Sequence, residues 1–372
     1  MSKTTRIATY KPKLANAIKQ DRLLAPFEVY KRELQVLVTN QLYQNHTPKF
    51  ANKDVTDQIQ LPARLSQVCA KQASAIVRSI QAKVKLANSS NNKQKYQQEI
   101  LNKWNNKSLS IDINSVNIEL DSRFVDIQEN KSSKISTHWI KITSFPSKSF
   151  YIPFTPTRHM KDLINRGFVM KPRNLRINSD GSLGIYFVKE TKLKPNQSIM
   201  GVDMGRNKIV TCSNGNVETT HVTGRITKQI LERIAARKQN SQGHRRSRQE
   251  LKNQINYSIK NNIPWNQLSH LVIEDLSEIK QGNRWGRKNQ FWRVGYAQQK
   301  IEHVCEENGV RLTRVNAAYT SQMCSNCGIR HKNNRHGEQF LCLSCGHTMD
   351  ADVNAAINIR NRGAYSPSIL KI

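Results

Sequence analysis

The chain has 372 residues, more than one ordinary domain accommodates, so about two or three are expected. Hydrophobic residues make up 37%, which supports a packed core and excludes wholesale disorder; no run of about 18 apolar residues exists to cross a membrane. Lys and Arg total 59 against 27 acidic residues, formally +32, an excess that concentrates polyanions and makes nucleic acid the expected partner. Charge alone leaves a ribosomal or membrane-surface role open.

The segment Met1-Ser2-Lys3-Thr4-Thr5-Arg6 lacks the apolar core of a signal peptide. Seven cysteines are present, four of them in two tight pairs. That pattern suits a reducing compartment and a bound metal better than a disulfide framework, so a cytoplasmic protein is expected.

Taken in chain order, residues 6–22 read as a short basic strand and a link. From Pro26, which can open a helix, Phe27, Tyr30, Leu34, Leu37, Val38 and Leu42 recur at helical spacing. Leu61, Leu65, Val68, Ile76, Ile80 and Val84 form a second such stripe, and the polar stretch Asn88–Gln94 lies near the end of this helical region. The period then changes to two: Leu109, Ile111 and Ile113 alternate with polar residues, as do Ile140 and Ile142. Leu175–Ile177 and Leu183–Val188 flank Asn178-Ser179-Asp180-Gly181-Ser182, a hairpin around an Asp-Gly turn. Lys192–Gln197 reads as a linker.

Beyond it the spacing predicts a strand at Ile199–Asp203 and further strand character at Lys208–Thr211. A helical stretch follows with Ile226, Ile230, Leu231 and Ile234, breaks at Ser241-Gln242-Gly243, and resumes with Leu251, Ile255 and Ile259. The break is strongly basic (Arg245-Arg246-Ser247-Arg248). Leu271–Glu274 reads as a buried strand, Ala297, Ile301, Val304 and Cys305 as a helix face, and Arg311–Val315 as a strand. This order fits a mixed sheet flanked by helices.

Three carboxylates stand out. Asp203 ends an apolar strand before Met204-Gly205, Glu274 ends the run Leu271-Val272-Ile273, and Asp352 opens a last helix in Asp350-Ala351-Asp352-Val353-Asn354. A carboxylate at a buried strand end must be paired, hydrogen-bonded or metal-bound. Mg²⁺ takes carboxylate oxygens and keeps waters for a substrate phosphate, and two ions about 3.5–4 Å apart can promote phosphodiester hydrolysis. Asp275, Glu278 and Asp350 compete for these roles, although strand alternation sends Asp275 to the face opposite Glu274. Taken singly, each carboxylate also reads as a helix cap or a surface ion-pair partner.

Cys324-Ser325-Asn326-Cys327 and Cys342-Leu343-Ser344-Cys345 are separated by residues 328–341. Each pair can form a knuckle around one tetrahedral Zn²⁺, and Gly328 and Gly346 directly follow. Four thiolates close the coordination shell, so this zinc is expected to be structural. His331, His336 and His347 are the competing ligands, expected in solvent, and Cys69, Cys212 and Cys305 read as buried thiols.

The ordered set Gly201–Gly205 (GVDMG), Val272–Ser277 (VIEDLS), Tyr319–Gly328 (YTSQMCSNCG), Cys342–Gly346 (CLSCG) and Asp350–Ile359 (DADVNAAINI) resembles TnpB, the transposon-encoded RNA-guided DNA endonuclease family related to type V CRISPR effectors. The motifs cover residues 199–360, and the N-terminal half matches in layout only. The resemblance implies an α+β multidomain protein. Its parts are a wedge domain of β-barrel type at 1–22 and 109–197, a helical recognition lobe inserted at 23–108, an RNase H-like (RuvC) α/β nuclease domain at 198–317 and 350–372, and a zinc-ribbon, target nucleic-acid-binding insertion at 318–349. It places the catalytic, Mg²⁺-binding residues on Asp203, Glu274 and Asp352, and the zinc ligands on Cys324, Cys327, Cys342 and Cys345. The implied partners are a guide RNA from the transposon end and double-stranded DNA carrying an adjacent motif. Competing readings are a nuclease-inactive RNA-guided repressor, an unguided RNase H-like nuclease or transposase accessory protein, and a compact CRISPR effector.

Overall fold

The computed structural model describes residues 2–12, 17–43, 59–89, 95–110, 112, 115–130, 136–143, 149–195, 198–217, 222–276 and 293–365. Ile111, Ile113 and Glu278, with residues 90–94 and 196–197, lie outside the described residues. The chain divides into two compact units, Thr5–Val188 and Met1–Thr4 with Lys189–Ile372.

The first unit holds most of strand β1 (Ser2–Tyr10), helices α1 (Ala17–Leu42), α2 (Ala63–Ser89) and α3 (Lys95–Asn105), strands β2 (Ile118–Leu120), β3 (Val125–Glu129), β4 (His138–Thr143) and β5 (Ser149–Phe154), the short helix α4 (Arg158–Asn165), and the hairpin β6 (Val169–Ile177) and β7 (Leu183–Thr191). The described strands form two open sheets, ordered β1-β7-β6-β2 and β3-β4-β5. A closed barrel, expected from the family likeness, is not found among the described residues. Tyr30 and Leu34 of α1, Cys69 and Val77 of α2, and Ile140, Ile152, Leu175 and Phe187 of the strands share one buried core.

Two expectations meet the structure here. The Asp-Gly turn is as read: Gly181 has φ +76°, and Asp180 Oδ1 accepts from Ser182 N at 3.0 Å. Helix α1, however, begins at Ala17 and runs through Pro26 instead of opening there. The good helix formers from Ala17 to Leu24 continue the helix N-terminal to the proline, which removes one backbone donor without ending it.

The second unit is built on strands β8 (Ile199–Asp203), β9 (Thr211–Cys212), β10 (His270–Asp275) and β11 (Arg311–Asn316), in the order β11-β10-β8-β9. β10 runs parallel to both β8 and β11, and β9 is antiparallel to β8. Alternation along these strands divides their side chains between two faces. Met200, Val202, Leu271 and Ile273 bury against helices α5 (Thr227–Ala235), α6 (Gln242–Asn262) and α7 (Val294–Asn308). Val272 and Val315 bury on the other face with Ile359 of helix α8 (Ala351–Tyr365). The break between α5 and α6 has a local cause: Ser241 caps α6, its Oγ accepting from His244 N at 3.1 Å, and Asn240 before it takes φ +64°.

Helix α8 lies close on the sheet. A Cβ on Gly201 would stand 2.1 Å from the Ala356 carbonyl oxygen and 2.5 Å from Arg360 N, so only glycine admits the helix here. Between β11 and α8 the chain forms a small three-stranded sheet, β12 (Arg335–His336), β13 (Gln339–Leu341) and β14 (Thr348–Asp350), in sequence order. Among the described residues, no helix is long and apolar enough to cross a membrane.

Candidate active site and metal centre

Gly201 faces α8, so Asp203, two residues on, faces the same side; Glu274 follows Val272 in the same way. The pairing of β8 with β10 ends at Val202 opposite Ile273, one residue before the two carboxylates. Asp203 and Glu274 therefore stand side by side at the carboxyl ends of parallel strands, where open α/β sheets place their ligand sites. Asp352 joins them from the first turn of α8. Asp275 is exposed while Glu274 is buried, as alternation requires.

Asp203 feels the charges of both other carboxylates. Burial, reinforced by the charges of Glu274 and Asp352, pushes the Asp203 carboxyl up to about 8, against smaller opposing effects of Arg335 and the Met204 amide. Burial also raises Glu274, opposed by a hydrogen bond from Thr320 and by the charges of Arg362 and Arg335. Ionised together, the three would form an acceptor-only set that a divalent cation would relieve, which is the donor chemistry of a Mg²⁺ site.

Neighbours that the sequence reading passed over hold this arrangement. The buried Thr320 hydroxyl donates to Glu274 Oε1, and Gln298 Nε2 donates to the Glu274 carbonyl at 3.0 Å. Arg335 Nη2 reaches Asp352 Oδ1 at 2.7 Å. Lys208 Nζ lies 2.9 Å from Asp350 Oδ2 and 3.7 Å from Asp352 Oδ2. Asp350, the competing candidate, caps α8: its Oδ1 accepts from the amides of Asp352 and Val353 at 2.9 and 3.1 Å. Burial alone would raise its carboxyl, but the Lys208 contact and these amides hold it below the usual range. One signal was available in the sequence. Asn354 and Asn358 fall one helical turn apart, and both are buried. Their side-chain amides donate to backbone carbonyls of the loop just before the first cysteine pair, Asn354 to Met323 at 2.8 Å and Asn358 to Thr320 at 2.9 Å.

The four paired cysteines converge as expected. Their ligand atoms all lie within 4.8 Å of one another, the one group of three or more Cys, His, Asp or Glu so gathered among the described residues. Cys324 Sγ is 3.8 Å from Cys345 Sγ, and Cys327 Sγ is 3.6 Å from Cys342 Sγ. A zinc tetrahedron with bonds of about 2.3 Å has edges of about 3.8 Å, so the four sulfurs can hold one Zn²⁺. Both knuckles close alike: Gly328 N donates to the Cys324 carbonyl and Gly346 N to the Cys342 carbonyl, each at 2.9 Å, with φ of +76° and +72°. His331 and His336 are exposed, and His347 points its Nε2 at Met349 Sδ, 3.3 Å away. Cys69, Cys212 and Cys305 are buried thiols, as expected.

Residues 295–359 match the family model described as Cas12f1-like, TNB domain. The CRISPR-associated endodeoxyribonuclease Cas12f1 of Sulfoacidibacillus thermotolerans is 41% identical over 91 residues, covering 24% of this chain and 21% of that protein. A TnpB-like protein of Aquifex aeolicus is 33% identical over 95 residues, covering 24% of this chain and 31% of its own. The putative RNA-guided DNA endonuclease InsQ of Escherichia coli is 26% identical over 204 residues, 46% of this chain and 51% of that protein. The chain is thus similar, over its C-terminal part, to TnpB-like proteins and Cas12f nucleases.

The match thus spans between about a fifth and a half of the lengths of these curated relatives. A solved Cas12f1–sgRNA–target DNA complex aligns with 93% of this chain and 82% of its own, at 14% identity and a TM-score of 0.52. That likeness establishes a shared mixed α+β fold.

Proposed function

We propose that this protein is a TnpB-type, RNA-guided DNA endonuclease encoded by an insertion sequence. It binds a guide RNA made from the transposon end, recognises a motif beside its target and hydrolyses target DNA at a RuvC-like site. The observation that carries the reading is the meeting of Asp203, Glu274 and Asp352, from three distant stretches of chain, at one end of one sheet, close enough for two of them to raise the third. The names of its relatives, which include RNA-guided DNA endonucleases and endodeoxyribonucleases, support the same reading.

In this proposal Asp203, Glu274 and Asp352 would hold two Mg²⁺ ions. Held by these three carboxylates, such ions would supply activation of a water and charge neutralisation at the leaving oxygen of the phosphodiester. The chain's own residues do the positioning. Thr320 and Gln298 orient Glu274 from its side chain and its backbone. Asp350 anchors the helix turn that carries Asp352, and Arg335 and Lys208 balance its charge. The four cysteines hold a structural zinc whose ribbon presents Thr320 and Arg335 to the site.

The proposed division of the chain is a wedge domain of β-barrel type at 1–22 and 109–197, a recognition lobe at 23–108, a RuvC-like domain at 198–317 and 350–372, and a ribbon at 318–349. The basic surface serves guide RNA and DNA backbones in the cytoplasm, with base pairing supplying specificity. The test is plasmid cleavage by protein expressed with its native flanking sequence. Cutting should follow the sequence of the copurifying RNA and stop in EDTA. Unguided cutting, or cutting undiminished by EDTA, would overturn the reading.

A further inference from the structure

Among the described residues three non-glycine positions take positive φ: Lys107, Asn240 and Tyr319, the last at +65°. Lys107 and Asn240 flank helices, where left-handed residues are common. Tyr319 lies instead in the loop entering the zinc ribbon, and an aromatic side chain in this conformation is strained, a condition that clusters at functional sites. Two contacts impose it. The Tyr319 carbonyl accepts from Gln322 N at 3.0 Å and Met323 N at 3.1 Å, closing the turn into the first cysteine pair. The next residue, Thr320, is committed by its hydroxyl to Glu274. The turn therefore sends Thr320 into the carboxylate site and leaves Tyr319 outside it, 49% exposed.

The ring is not loose. The Arg330 guanidinium carbon lies over it, 3.1 Å from the ring centroid, and an antiparallel bridge between Met323 and Arg330 ties the two arms together. Arg330 is itself exposed. A fixed aromatic ring, backed by a cation and one residue before the threonine that bonds the buried Glu274, is chemically a stacking surface beside a phosphate-directed charge. Such surfaces take unpaired bases of any identity, because every base has a π-face and the backbone supplies the charge.

We propose that Tyr319, backed by Arg330, is a stacking platform that holds an unpaired nucleobase of single-stranded DNA at the mouth of the carboxylate site. The proposal rests on the nuclease reading above. Its ligand class is single-stranded DNA, and its role is positioning: the stacked base sets where the backbone lies relative to Glu274.

Tyr319→Gly is the informative variant, since glycine is at ease at φ +65° and removes the ring without straining the turn. The probe is a single-stranded deoxyoligonucleotide carrying one 2-aminopurine, moved position by position, with full-length protein expressed with its native flanking sequence. Without added Mg²⁺, and with the zinc retained, the wild type should quench the probe at one position. Tyr319→Gly should lose that quenching and bind on the order of tenfold to a hundredfold more weakly, with an undiminished melting temperature, while Tyr319→Phe should behave as wild type. In Mg²⁺ the same oligonucleotide should show a raised KM in Tyr319→Gly. No position-specific quenching by the wild type, or equal quenching by Tyr319→Gly, overturns the platform. A wild type that quenches but never cuts, whatever guide it carries, overturns the nuclease reading instead, and the platform is then judged on the quenching difference alone.

Discussion

Asp203 and Glu274 reach the site because each lies two residues beyond a position that must face α8. This geometry separates essential carboxylates from bystanders. Asp203→Asn, Glu274→Gln and Asp352→Asn should each retain guide and target binding, yet lose plasmid cleavage by on the order of 10³-fold or more, as when other transition-state electrostatics are removed. Asp275→Ala, on the exposed side of β10, should cut nearly as wild type. Cleavage and binding assays on the same preparations decide this, and normal cutting by any of the three would remove that residue from the mechanism. Asp350 behaves differently. It is a helix cap, so Asp350→Ala should lower stability by about 0.5–2 kcal/mol, read by urea denaturation, before any effect on chemistry is considered.

At the scale of elements, two contacts set the sheet. Helix α8 needs the bare backbone at Gly201. Gly201→Ala should destabilise the second unit by about 3 kcal/mol or more, because the added carbon meets helix backbone that cannot rotate away. A melting temperature close to wild type would contradict this packing. His270, buried at the start of β10, bonds Thr313 Oγ1 at 2.8 Å across to β11. Burial and the charge of Arg311 hold its imidazole below the ordinary value. The unfolded chain therefore binds this proton at a higher pH than the folded one. The contribution of His270 is full above the unfolded value of about 6.5 and is lost as pH falls towards the folded value. Removing it in His270→Gln should flatten the decline of stability on acidification below about pH 6.5, measured by urea titration. The ribbon is the third element. Metal analysis should find about one zinc per chain, and Cys324→Ser with Cys342→Ser should lose it. Because Asn354 and Asn358 bind the loop that carries Thr320, zinc loss should also weaken cutting; full activity in zinc-free protein would refute the coupling.

For the whole molecule, a formal charge of +32 requires that polyanion binding be steeply salt-dependent. Affinity for non-cognate DNA should fall on the order of 10³-fold or more between about 50 and about 200 mM salt, and a filter-binding titration showing a flat response would remove the electrostatic argument. Much of this protein was legible in one dimension. Strand alternation and paired cysteines are local properties, so the strands that carry Asp203 and Glu274, the helix opening near Asp352 and the convergence of the cysteine pairs could all be read without coordinates. The two-residue repeat put Glu274 and Asp275 on opposite faces, and burial shows which of them turns inward. The start of α1 was misjudged, because a proline that usually opens a helix is tolerated inside one when its flanks favour helix. What the sequence by itself could not supply was company. The partners of Glu274 and Asp352, namely Thr320, Gln298 and Arg335, lie between 17 and 46 residues away along the chain. Thr320 and Arg335 belong to the ribbon and Gln298 to α7, and no periodicity relates one element's side chains to another's. Only the closure of α8 onto Gly201 and the docking of the ribbon on its asparagines decide that these residues meet, because tertiary contact depends on how faces pack and not on spacing along the chain.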